Sequence, residues 1–169
     1  MTWSDKYLEV ARALHGPNDA ELATAFNNRA KLLRDLGRLS EALLLYQQAE
    51  TIFRTALGND NASVAAAINN HAEVLGAMGR FDEALPLFIQ AEAMRRRALG
   101  NDHPDVAASL NNRAALLQRM GRFNEALPLQ DQAEAIRRRA LGDDHPDVAT
   151  SLNNKAELLR VRFLLSFLP

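Results

Sequence analysis

The stretch Met120–Asn154, MGRFNEALPLQDQAEAIRRRALGDDHPDVATSLNN, decides the fold. Gly121 can take the positive φ that ends one helix, and Gly142 can end the next. Between them the residues read as a helix from about Asn124 to Leu141. Arg137, Arg138 and Arg139 sit in its last turns, where cations and solvation offset the negative end of the helix dipole. Pro128 falls early in this helix, as Pro86 does in an earlier copy, where it costs a hydrogen bond and bends the axis slightly. Past Gly142 a further helix opens at DHPDVA. In the preceding copy Asp102 or His103 can cap that helix, and Pro104 suits a first turn whose N–H has no partner anyway.

The same pattern returns every 42 residues. Gly37, Gly79 and Gly121 keep that interval, as do Gly16, Gly58, Gly100 and Gly142, and Asn27, Asn69, Asn111 and Asn153. Residues 58–99 and 100–141 match at 28 of 42 positions without a gap, so the chain is an array of one supersecondary unit. In the first helix of the unit, Val106, Leu110, Ala114 and Leu117 form one buried stripe. The frame predicts a capping helix over 3–14, full pairs at 20–57, 62–99 and 104–141, a half repeat at 146–160 and an atypical apolar tail at 161–169. No pair can bury its apolar surface by itself. The expected fold is therefore all-α, a right-handed α-solenoid of about eight helices stacked as antiparallel pairs.

Composition narrows the function. The chain has 169 residues, 20 basic and 21 acidic, for a net charge of −1, so no global field favours nucleic acid or an anionic membrane. The absence of cysteine excludes disulfides and thiolate metal sites. The N-terminal MTWSDKYLEV does not read as a signal peptide, and no apolar run reaches membrane-spanning length. A cytoplasmic protein without membrane association is expected. His15, His103 and His145 fall at helix ends and turns, and no metalloprotease, phosphate-loop or nucleophile-elbow motif occurs. No enzyme, cofactor or metal is expected. The runs Arg95–Arg97 and Arg137–Arg139 fan around their helices, which argues against a nucleic-acid face.

The quoted segment resembles the tetratricopeptide repeat in its 42-residue, kinesin-light-chain-like form. The likeness rests on the small residues Ala30, Ala72, Ala114 and Ala156, the turn glycines, Leu39, Phe81 and Phe123 after them, and the second-helix alanines Ala42, Ala84, Ala126, Ala49, Ala91 and Ala133. It covers nearly the whole chain. Two departures stand out. Family leucines that pack together are replaced by Arg29, His71, Arg113 and Lys155 on the first helices and by Glu50, Glu92 and Glu134 on the second. Ion pairs are expected inside each repeat, Arg29–Glu50, His71–Glu92 and Arg113–Glu134, with Lys155 turning to Glu134 next door. The alternative is that both groups face water.

The resemblance implies that the first helices line a concave groove that takes a peptide or partner protein. Thr24, Asn27, Lys31 and Arg34 share a face opposite the apolar stripe, with Asn28 at its edge. Asn69, Asn70 and Glu73, then Asn111, Asn112 and Gln118, then Asn153, Asn154 and Glu157 are the equivalents. Asparagine is a poor choice inside a helix, but a carboxamide offers donor and acceptor together, which suits a peptide group. Family members use the second asparagine of each pair to hold a peptide backbone. The competing reading is that these asparagines bond across adjacent repeats and specify stacking. The dense basic clamp of chaperone-binding relatives is absent.

The end of the sequence breaks the pattern. RVRFLLSFLP replaces the expected glycine turn, and Phe163, Leu164, Leu165, Phe167 and Leu168 stand where a polar cap belongs. The tail can extend the last helix and fold back, pair with a second copy as a homodimer, or mark a shortened array. Exposed apolar ends favour association. The two functional readings are thus a protein-interaction scaffold and a structural spacer that self-assembles through this end.

Overall fold

A computed structural model describes residues 3–165 and 167. Among the described residues there are eight α-helices and no strand: α1 (Trp3–Leu14), α2 (Ala20–Asp35), α3 (Leu39–Leu57), α4 (Ala62–Ala77), α5 (Phe81–Leu99), α6 (Pro104–Arg119), α7 (Phe123–Leu141) and α8 (Pro146–Leu165). They divide into two compact units, Met1–Met94 and Arg95–Pro169.

Local chemistry sets the helix limits. Asp19 caps α2 by accepting from Glu21 N, Asn61 caps α4 through Ser63 N, and His103 caps α6 by accepting from Asp105 N at Nδ1. Pro104 occupies the first turn of α6. Gly37 follows α2 with φ 75°; its N–H bonds to Arg34 O and that of Arg38 to Leu33 O, which satisfies two terminal carbonyls. The same double bond recurs at Gly79 and Gly121. The helical span of α5 and of α7 runs through Pro86 and Pro128.

In the first unit α2 packs on α1, α3 and α4, and α3 packs on α4. Ala23, Ala25, Ala49, Ala65 and Ala67 lie in its core with Leu22, Phe26, Phe53, Val64 and Ile68. Small residues at these contacts bring the helix backbones close, so a larger side chain would overpack them. In the second unit α7 packs on α6 and α8, and Val106, Leu110, Ala114, Leu117, Ala126, Ala133, Ile136, Val148 and Leu158 are buried.

The last helix outruns its expected limit at 160. Phe163 stands 42 residues after Gly121, at the position where glycine ends α2, α4 and α6. Without a residue suited to positive φ the helix continues to Leu165. Phe163, Leu164, Leu165 and Phe167 are exposed, and the rings of Phe163 and Phe167 meet edge to face at 4.7 Å. Leu168 lies outside the described residues.

Candidate peptide-binding face

Two patches carry the candidate residues, one in each unit. In the first, α2 and α4 supply Thr24, Asn27, Asn28, Lys31, Arg34, Asn69, Asn70 and Glu73. Asn70 Nδ2 donates to Asn27 Oδ1 at 2.9 Å, joining equivalent helices of successive repeats. Asn28 and Lys31 are exposed, and the Thr24 hydroxyl turns back to Ala20 O. Arg34 forms an ion pair with Glu73, and Glu73 also accepts from Asn69 Nδ2 at 2.8 Å. Asn69, expected on the open face, is instead 3% exposed. It supports Glu73 rather than presenting its own amide.

In the second unit Asn154 Nδ2 donates to Asn111 Oδ1 at 2.6 Å, repeating the Asn70–Asn27 bond. Gln130 Nε2 reaches the same oxygen at 3.3 Å. Asn112 and Gln118 are half-buried and Asn153 is exposed. Glu157, also exposed, is bound in bidentate fashion by Arg160 at 2.8 Å.

Two residues beneath these patches escaped the sequence reading. Tyr46 on α3 is fully buried and its hydroxyl has no hydrogen-bond partner; burial pushes the phenol up to about 12. Gln130 on α7 is buried, and its Oε1 is likewise unpartnered. The repeat interval was the available signal. Positions 46, 88 and 130 are equivalent, and they hold Tyr, Phe and Gln where one apolar residue would serve.

Lys155 meets Glu134 as expected, whereas His71 pairs with a carboxylate one repeat earlier than expected. Glu50 accepts from Arg54 on its own helix and faces His71 of the next repeat at 3.1 Å. Glu134 likewise meets Arg138 and Lys155, the latter at 3.4 Å, while Lys155 also pairs with Asp131 at 2.6 Å. His71 thus finds a carboxylate on the preceding repeat. A residue one step before the buried small residue is rotated about 100° from it around the helix, which turns His71 towards α3. Burial opposes charge on Glu50, but hydrogen bonds from His71 and Arg54 outweigh it and hold the carboxyl below the usual carboxylate range.

The arginine runs also do more than offset a dipole. Arg95 Nη1 donates to Ser109 Oγ at 2.7 Å and to Asp105 O. Arg137 Nη1 makes the matching bonds to Ser151 Oγ, at 2.6 Å, and Asp147 O. At the equivalent places in the first unit stand Phe53 and Ala67, both in the apolar core. The other arginines of the second run, Arg138 and Arg139, pair with Asp143 and Asp102. No described cluster of His, Asp and Glu is arranged to hold a metal ion, and no described helix is long and apolar enough to cross a membrane.

A family model described as tetratricopeptide repeat matches residues 2–55, 63–138 and 105–162. No curated protein matches the chain significantly. Among solved structures, BtubC (BKLC) from P. vanneervenii is similar at 23% identity and a TM-score of 0.81, over 93% of this chain and 63% of BtubC. The chain thus spans less than two thirds of BtubC's length. A Podosopora anserina protein assigned as a kinesin light chain, with nearly identical TPR-like repeats, is similar at 23% identity and a TM-score of 0.78, over 95% of this chain and 76% of that one. A single-substitution variant of it gives 22% and 0.80 over the same shares. These likenesses establish the fold class, an all-α solenoid of the kind seen in kinesin-light-chain-like repeat proteins.

Proposed function

The chain belongs to the tetratricopeptide repeat family, and on that premise we propose that it is a non-enzymatic, cytoplasmic scaffold that holds an extended peptide or partner protein on its first-helix face. Tetratricopeptide repeats generally mediate protein–protein interaction. One observation carries the reading to this face: the cross-repeat bonds Asn70–Asn27 and Asn154–Asn111. Each spends one N–H of a carboxamide that has two, and one of two lone pairs on the acceptor. Asn70 and Asn154 are fixed in orientation yet keep a donor and a carbonyl for a ligand. The stacking role and the binding role of the asparagines are then one device, because pre-orientation lowers the entropy cost of capture. Asn28 and Lys31 beside them add an amide and a cation for selectivity.

The test is a titration with a peptide selected by display against the chain. Replacing Asn28→Ala together with Asn70→Ala weakens binding by at least about tenfold, some 1.4 kcal/mol, at unchanged helicity. Equal affinity in the variant would overturn the reading. A second reading, self-assembly through the apolar end, is favoured by the exposure of Phe163, Leu164, Leu165 and Phe167.

A further inference from the structure

The exposed apolar surface of α8 reaches well beyond the tail. Phe26, Leu110, Ala30, Ala114, Leu33 and Leu117 are buried in α2 and α6, each of which packs on the second helix of its hairpin. The equivalents in α8 are open: Leu152 is 42% exposed, Leu159 40%, and Ala156 is exposed as well. Ala149 and Phe163 extend this surface at either end, also exposed. Residues 149, 152, 156, 159 and 163 are spaced 3, 4, 3 and 4, the stripe of a helix that packs along another helix.

We propose that α8 pairs with α8 of a second copy, antiparallel, about a twofold axis at Ala156. The proposal rests on the self-assembly reading above and gives it a defined seam. The stripe is complementary to itself in that register. With Ala156 on the axis, residue 156 + k lies opposite 156 − k of the other copy. Phe163, the largest side chain, then meets Ala149, the smallest, at both ends, and Leu152 lies within one residue of level with Leu159. Along about 21 Å of helix, phenylalanine thus faces alanine at both ends, leucines meet between, and the two Ala156 residues allow close approach on the axis. The exposed Asn153 carboxamide comes beside Arg160 of the other copy. Two of the cations beside the seam are answered within the chain, Lys155 by Asp131 and Glu134 and Arg160 by Glu157, which lowers the repulsion between two copies.

The sequence lacks cysteine, so introduced thiols report on the seam without background. The experiment is sedimentation equilibrium of the full chain at about 100 μM, a range suited to a small helix–helix interface, with mild oxidation of single-cysteine variants. The expected result is a dimer that Leu152→Glu makes monomeric and that persists when residues 164–169 are removed. Ala156→Cys then cross-links to a dimer, whereas Phe163→Cys does not. A wild-type monomer overturns both the seam and the self-assembly reading. A dimer that survives Leu152→Glu but is lost with residues 164–169 overturns the seam and leaves association through the tail. Cross-linking of Phe163→Cys shows a parallel pair and overturns the antiparallel register.

Discussion

At the residue scale, two buried polar groups behave in opposite ways. Tyr46 carries a hydroxyl that burial isolates, and the equivalent position in the next repeat is the buried Phe88. Removing an unpartnered buried group relieves a desolvation penalty, so Tyr46→Phe should raise stability by about 1 kcal/mol in urea denaturation. It should also abolish an alkaline loss of stability. Because the folded phenol titrates near 12 against an ordinary value of 10.0, stability is fully present below pH 10 and falls as pH rises towards 12. Glu50 has the reverse sign. Its folded carboxyl ionises more readily than the ordinary value of 4.5, so its contribution is present above that value and lost as pH falls through the lower folded one. Glu50→Gln should flatten the acid side of the stability profile, measured by thermal denaturation between neutrality and pH 3. Neither effect was legible in sequence. The composition shows that Glu50 must find a cation, but α4 has helices on either side of it, and only the rotation of His71 selects α3.

At the element scale, the glycines and alanines were legible because their demands are local: a positive φ at Gly37, Gly79 and Gly121, and close backbones at the buried alanines. The extension of α8 follows from the same logic, since Phe163 replaces the glycine that would have stopped it. The helix-to-helix latches were not legible, because a run of three arginines reads as a solvated helix end. In fact Arg95 and Arg137 reach Ser109 and Ser151 on the following helix, where Phe53 and Ala67 make the apolar counterpart. The two designs are alternatives at one position, so they should exchange as a pair. Ser151→Ala should cost about 1–2 kcal/mol by weakening the hold on a buried guanidinium. Adding Arg137→Phe should recover most of it, and a double-mutant cycle should show favourable coupling between the two new residues. Additive losses would contradict the exchange.

At the scale of the whole molecule, the repeat interval of 42 residues fixes the helix order, and the family match and the solved neighbours agree with it. The candidate face was legible as a set of equivalent positions, since equivalence needs only counting. Its internal wiring was not. Asn69 turned inward to Glu73, Gln130 rose from α7 to Asn111, and the second asparagine of a pair bonded to the first of the preceding repeat. These depend on side-chain direction and on which neighbour each helix meets. The central claim is that carboxamides held by those bonds receive a peptide. The most direct measurement is the NMR of side-chain amides during titration with the selected peptide. For a peptide held on the first unit, the account predicts saturable shifts at the Nδ2 groups of Asn70 and its exposed neighbour Asn28, while the amide of Asn101, in the turn between α5 and α6, stays unmoved. Saturable binding that leaves the cross-repeat asparagine amides unshifted would contradict it.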